Sequence, residues 1–252
     1  MHIVDSYRLS PMQEGMLFHH LRAPDSGIDV EQLVCSLHEP VDAGALAYAW
    51  ERIIERHAVM RTSFQWENCP QPVQHVHDAV ELPFQVLDWG NLGSVRQKHD
   101  LNSYLAEDRL AEFAWDHPPL MRIALFRFSD DDYTLVWSFH HAVLDGRSFH
   151  VVLDEVFRTY DARCKCEEVL LPPTPPYLDY IRWLDTLDFT KAENYWRGAL
   201  KGFSVATALP SFEGGGQSGS GASHRLEQWR DATFCSGIRM WPFSSTWATS
   251  SR

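Results

Sequence analysis

The sequence is short of several things, and each shortage narrows what the chain can do. Positive charge is scarce. Twenty-two Lys and Arg stand against 34 Asp and Glu, a formal net charge of −12, which argues against nucleic acid and anionic membranes as general partners. No apolar run approaches the ~20 residues that span a bilayer. The opening MHIVDSYRLS lacks the basic start and apolar core of a signal peptide. Five cysteines (Cys35, Cys69, Cys164, Cys166, Cys235) form no CxxC pair and are odd in number, which fits a reduced, cytosolic setting. There is no glycine-rich phosphate loop, no GxSxG elbow and no internal repeat.

What is present is a globular composition, 44% hydrophobic and 13% aromatic. At 252 residues the chain suffices for one large domain or two modest ones with a sizeable core. One stretch organises the rest: Tyr133 to Phe157, YTLVWSFHHAVLDGRSFHVVLDEVF. Its first part, to His140, is rich in β-branched and aromatic residues and reads as a buried or half-buried strand. Leu135, Trp137, Phe139 and His141 share one parity, so a strand running to its end aims His141 along the Trp137/Phe139 face. From Phe149 the period becomes helical, with Val152, Leu153, Val156, Phe157 and Tyr160 on one face. A sharp strand-to-helix turn therefore carries His140, His141, Asp145 and Gly146.

These residue types have definite uses. A neutral imidazole takes or holds a proton near pH 7 without extreme tuning. Asp145 can orient an imidazole, cap the following helix or pair with a distant Arg. Gly146, lacking a Cβ, suits close backbone approach after the turn. The plainer alternative is two histidines closing an apolar strand and an Asp capping a helix. A metal site is a further alternative, but adjacent strand residues point to opposite faces and the i, i+4 helical spacing is missing.

Elsewhere, Ser10-Pro11-Met12-Gln13 is a helix start with an N-cap, an early proline and the glutamine of a capping box. Strands are expected at Glu31 to Leu37, Met60 to Trp66, Val73 to His77, Leu82 to Asp88 and Leu120 to Phe128. Helices are expected at Asp42 to His57 and from about Ser94 to Phe113. Asp130-Asp131-Asp132 reads as a hairpin turn into the central strand, which implies a mixed sheet. After the stiff Pro172–Pro176 link come two helical stretches, Tyr177 to Leu187 and Thr190 to Leu200. A Gly/Ser-rich linker follows, and the last residues show no helix or strand period.

Four segments taken together resemble the condensation domain of nonribosomal peptide synthetases. YRLSPMQEGMLFHHL is similar to that family's first motif, ERHAVMRTSFQ (residues 55–65) to its second, and FHHAVLDGRSF (139–149) to its third. YLDYIRWLDTL with NYWRGAL resembles the fourth. The third motif alone is shared with related acyltransferases and epimerisation domains. The resemblance implies an α/β fold, the mixed sheet flanked by helices of chloramphenicol acetyltransferase, of which this chain is the first of two halves. It further implies an acyltransferase that joins an acceptor amine to a donor acyl group. Both substrates arrive as thioesters on the phosphopantetheine of peptidyl or aminoacyl carrier proteins, and no cofactor is bound to the domain.

By position, the resemblance makes His141 the active-site histidine, either as general base or as a hydrogen-bond partner that positions the amine. His140 supports the turn, Gly146 presents its N–H near the thioester, and Asp145 pairs with Arg61 of the second motif. Trp196 is a packing residue at most. Arg147 departs from the Trp or Val common after the glycine. The family's second-half motifs are absent and the matches stop near residue 200. The expected organisation is therefore a half-domain over 1–205, a linker over 206–225, and an atypical tail over 226–252 that is disordered or out of frame. Alternatives are a non-catalytic remnant, a carrier-docking module, or an ester-forming acyltransferase.

Overall fold

The helical and strand periods become packed layers in a computed structural model of the chain. It describes residues 1–23, 29–204, 224–227, 232–233 and 239–247. Strand β1 (Ile3–Arg8) leads into α1 (Pro11–Arg22), then β2 (Val30–Leu37) and α2 (Ala43–Arg56). A 3-10 turn (Ala58–Arg61) opens into β3 (Thr62–Gln65), followed by β4 (Val73–His77) and β5 (Phe84–Asp88). Next come α3 (Ser94–Leu110), β6 (Met121–Arg127), β7 (Tyr133–His140) and α4 (Ser148–Lys165). Helices α5 (Tyr177–Asp185) and α6 (Phe189–Ala199) precede β8 (His224–Glu227), β9 (Ala232–Thr233) and β10 (Arg239–Trp247).

Two sheets form among the described residues. The smaller runs β1-β4-β3; the larger runs β5-β6-β7-β2-β10-β8, with β9 on β10. The larger sheet is mixed, as the hairpin at Asp130–Asp132 implied: β5 lies parallel to β6, while β6, β7 and β2 alternate antiparallel. All eight residues of β7 are buried because helices cover both of its faces. Leu135, Trp137 and Phe139 pack in the main core with Leu46, Trp50 and Ile53 of α2 and Val152 and Val156 of α4. Val136, with Ala124 and Phe126, faces Leu101, Tyr104 and Leu105 of α3 on the other side. The rings of Trp50 and Trp137 sit 4.8 Å apart at the centre.

Three expectations are corrected. Met60 and Arg61, expected to start a strand, belong to the 3-10 turn, where His57 O accepts the Met60 N–H at 3.0 Å. Strand β1 is an addition to the expected elements. Its exposed residues alternate too weakly to announce a strand, and it forms by pairing with β4 from Ile3↔His77 to Arg8↔Val73. The stretch 226–252, expected as an atypical tail that is disordered or out of frame, contains β10, whose backbone pairs antiparallel with β2 from Met240↔Leu37 to Ser245↔Leu33. An outer sheet edge offers unpaired backbone groups to any extended segment. The register shifts between Trp241 and Ser244, across Pro242, whose nitrogen has no hydrogen to donate. Of the expected 206–225 linker, residues 206–223 lie outside the described residues.

Candidate active site

The turn after β7 is built from its own residues. Strand pairing with β2 ends at Val30↔His140. Beyond it the His141 N–H donates to the Asp29 carbonyl at 2.8 Å and the Val143 N–H to the His140 carbonyl at 3.1 Å. Ala142, Val143 and Leu144 are buried, which anchors the turn to the core. Asp145 stands in the turn just ahead of α4. Its carboxylate accepts from the Arg147 N–H at 3.0 Å, the Ser148 N–H at 2.7 Å and the Ser148 hydroxyl at 2.7 Å. The Ser148 hydroxyl, ahead of the two backbone N–H groups, holds the Asp145 carboxyl below the usual carboxylate range.

The two adjacent imidazoles have opposite surroundings. His140 is 4% exposed, and its ring lies 4.4 Å from that of Trp115. Burial, with smaller contributions from His20 and His141, pushes its pKa down to about 3. Its Nδ1 accepts the Ala142 N–H at 3.0 Å, so the neutral ring carries its proton on Nε2. His140 is thus a fixed, uncharged brace. His141 is half-buried and lines a cleft of about 240 Å³ with Gln13, Met16, Val59, Ser148, Tyr177 and Tyr180. Asp29 and Glu31 lie within electrostatic reach. Burial raises both carboxyls, and His141 acts on each in the opposite direction.

Gly146 is exposed, and a Cβ added there would meet no protein atom within 4 Å. Nothing among the described residues demands glycine at this position. Among the described residues, no three His, Cys, Asp or Glu side chains are grouped to hold a metal ion.

Two expected support roles are corrected. Arg61 does not pair with Asp145. Its guanidinium donates to the carbonyls of Ile54 (3.1 Å), Glu55 (3.2 Å) and Asp78 (3.2 Å), and also to that of His77. The C-terminal carbonyls of α2 lack intrahelical partners and attract a cation, whereas Asp145 is already satisfied within its own turn. Arg61 therefore ties the end of α2 to the end of β4. Trp196 is 56% exposed, and α6 buries none of its residues, so Trp196 packs into no core here.

Sequence reading missed the reach of Gln13. The capping box is present, with Ser10 Oγ accepting the Gln13 N–H and Gln13 Oε1 accepting the Ser10 N–H. The same amide also donates to the Ala142 carbonyl, 129 residues away in sequence, at 3.1 Å. Tyr177 and Tyr180 enter the cleft wall from α5. Neither contact has a local sequence signal, because both depend on how distant elements dock.

Comparison with known proteins bears on the family and the fold. The family model described as "Condensation domain" matches residues 3–228, which runs past the fourth motif at residue 200. The chain is 40% identical over 227 residues to one of the linear gramicidin synthase proteins of Brevibacillus parabrevis, covering 89% of this chain and 4% of that protein. It is 36% identical over 212 residues to bacitracin synthase 1 of Bacillus licheniformis, covering 84% of this chain and 4% of that one. The fold matches the starter condensation domain of rhizomide synthetase with a TM-score of 0.70 at 15% identity, over 90% of this chain and 53% of that one. It also matches the first condensation domain of the calcium-dependent antibiotic synthetase, in complex with a substrate analogue, with a TM-score of 0.72 at 16% identity, over 88% of this chain and 53% of that one. The chain thus spans about half of solved condensation-domain chains and a small part of the curated synthetases.

Proposed function

The chain belongs to the condensation-domain family of nonribosomal peptide synthetases, and on that premise we propose that its His141 cleft serves amide-bond formation between two carrier-bound thioesters. The acceptor's amine nitrogen attacks the donor's thioester carbon. A C–N bond forms, the C–S bond breaks, and the amine's proton ends on the departing thiol. His141 is the one imidazole of the adjacent pair that reaches the cleft, and this observation carries the reading. It accepts the proton or holds the amine by a hydrogen bond. In this reading the Gly146 N–H faces the thioester, at a turn where a Cβ would stand in open space.

The partners in this reading are aminoacyl and peptidyl carrier proteins, whose phosphopantetheine arms bring the substrates; the domain itself needs no cofactor. A second half of the domain is a further partner. The chain spans 53% of one solved condensation-domain chain, and Trp183 of α5, Phe189, Tyr195 and Trp196 of α6 and the following Leu200 are exposed. No helix among the described residues is long and apolar enough to cross a membrane, and the reading puts the chain in the cytosol.

The test is turnover of carrier-bound aminoacyl thioesters, by the chain alone and by the chain supplied with the second half of a relative. His141→Ala is expected to lower turnover by ~100-fold or more. Equal turnover by the parent and the variant would remove His141 from the chemistry. A second reading is a module that docks carriers without turning them over. Binding of a loaded carrier with no amide product in either format would establish that reading. Ester product from an alcohol acceptor, with none from an amine, would establish the ester-forming alternative.

A further inference from the structure

A buried pair of glutamines joins the start of α1 to the turn that carries His141. Gln13 is 3% exposed and Gln74 is 0% exposed. Their amides bond reciprocally: Gln74 Nε2 donates to Gln13 Oε1 at 3.0 Å, and Gln13 Nε2 donates to Gln74 Oε1 at 3.3 Å. Each amide is held from outside the pair. Gln13 Oε1 accepts the Ser10 N–H at 2.9 Å, Gln13 Nε2 donates to the Ala142 carbonyl at 3.1 Å, and Gln74 Nε2 donates to the Arg8 carbonyl at 3.0 Å. The orientations are forced. A backbone N–H only donates and a carbonyl only accepts, so neither amide can be turned over without breaking its outside bonds. The pair bridges the small sheet, which holds β1 and β4, to the exit of β7 in the large one.

The identity of residue 13 is informative. A capping box is satisfied equally by Glu or Gln at the third helical position. Only the amide can also donate, and here it donates to the residue following His141. A carboxylate in its place would face the Ala142 carbonyl and the Gln74 Oε1 with no hydrogen to share. The turn, not the helix, therefore accounts for glutamine. Both backbone polar groups of Ala142 are held by side chains, the N–H by His140 and the carbonyl by Gln13. His141 itself donates its N–H to the Asp29 carbonyl.

We propose that Gln13, braced by Gln74, is a positioning residue for His141. Its amide fixes the Ala142 carbonyl and so sets the imidazole within the cleft. The consequence for catalysis rests on the acyl-transfer reading above; the positioning itself does not. An ~1 Å misplacement of a reacting group can cost ~100-fold in rate, so a brace one residue away is well placed to matter.

The test uses the whole chain with its histidines labelled in the ring nitrogens, the His141 signals being identified by their loss in His141→Gln. Gln13→Glu keeps the size and the cap acceptor and removes the donor. The double variant Gln13→Leu/Gln74→Leu removes both amides, so that no unmatched amide or carboxylate stays buried, though the Ser10 N–H and the Ala142 and Arg8 carbonyls lose these partners. Both are expected to move the His141 ring signals, while the double variant recovers part of the melting temperature lost in Gln13→Glu. Where the parent turns over carrier-bound substrates, kcat is expected to fall ~10-fold or more with KM within ~2-fold. His141 signals that match the parent's in a folded variant would overturn the proposal. So would signals that return in step with stability in the double variant, which is the behaviour of a merely structural contact. Should Gln13→Glu fail to fold, the double variant carries the comparison. A parent that turns over no substrate overturns the acyl-transfer reading, while the ring signals still decide the positioning.

Discussion

Nδ1 of His140 accepts the backbone N–H of Ala142 at 3.0 Å, and that bond exists only while the ring is neutral at Nδ1. Burial pushes the His140 pKa down to about 3 from an ordinary 6.5. The unfolded chain therefore binds a proton that the folded chain refuses between these values. In that window stability rises with pH, at up to ~1.4 kcal/mol per pH unit from this group. Denaturant melts of the parent between pH 7 and pH 4 should lose stability more steeply than those of His140→Gln, which keeps an acceptor and does not titrate. Equal slopes would mean that His140 is not the buried neutral group described.

Arg61 and Asp145 are expected to act independently. Arg61→Ala removes four carbonyl contacts, two at the end of α2 and two at the end of β4, and should cost ~1–3 kcal/mol. Asp145→Ala removes the acceptor of the Arg147 and Ser148 donors and should cost ~1 kcal/mol, as the loss of a helix cap does. A double-mutant cycle by urea unfolding should return a coupling below ~0.5 kcal/mol. A coupling well above that would restore an ion pair between them.

Glu155 is the buried carboxylate that joins α4 to the end of α2. It accepts from His57 Nε2 at 2.6 Å and from Arg56 Nε at 3.1 Å. Glu155→Ala strands both partners and should destabilise the chain by ~3 kcal/mol, because the loss of one member of a buried pair leaves an uncompensated charge. Chemical denaturation measures this directly. A loss under ~1 kcal/mol would show that water or Pro172 replaces the carboxylate, since Arg56 also donates to the Pro172 carbonyl.

Trp196→Ala should leave the melting temperature of this chain nearly unchanged, within ~0.5 kcal/mol in stability, because the side chain is 56% exposed. The same variant should weaken association with a separately supplied second half, if α6 lies in that contact. Light scattering or calorimetric titration separates the two effects.

Some of this organisation was legible in the sequence because it follows from local rules. The capping box at Ser10 and Gln13, the buried face of α2 and the period change between β7 and α4 each depend on residues within a few positions of one another. So did the mixed sheet, through the short turn between β6 and β7. The four motifs were local too, and they carried the family.

What the sequence alone left undecided was which of several chemically sensible partners each polar side chain takes. Asp145 had three, and it takes the Ser148 hydroxyl and the Arg147 and Ser148 N–H groups of its own turn, just ahead of α4. Arg61 finds the α2 carbonyls because the 3-10 turn folds it back on the helix it follows. The motif named His141, but the burial of His140 comes from Trp115 and the strand end, which belong to separate stretches of the chain. Gln13 meets Ala142 only after the two sheets dock. Residues close in sequence determined the elements. The contacts that set His141 in its cleft join residues far apart along the chain, and only the tertiary structure brings them within a hydrogen bond's length.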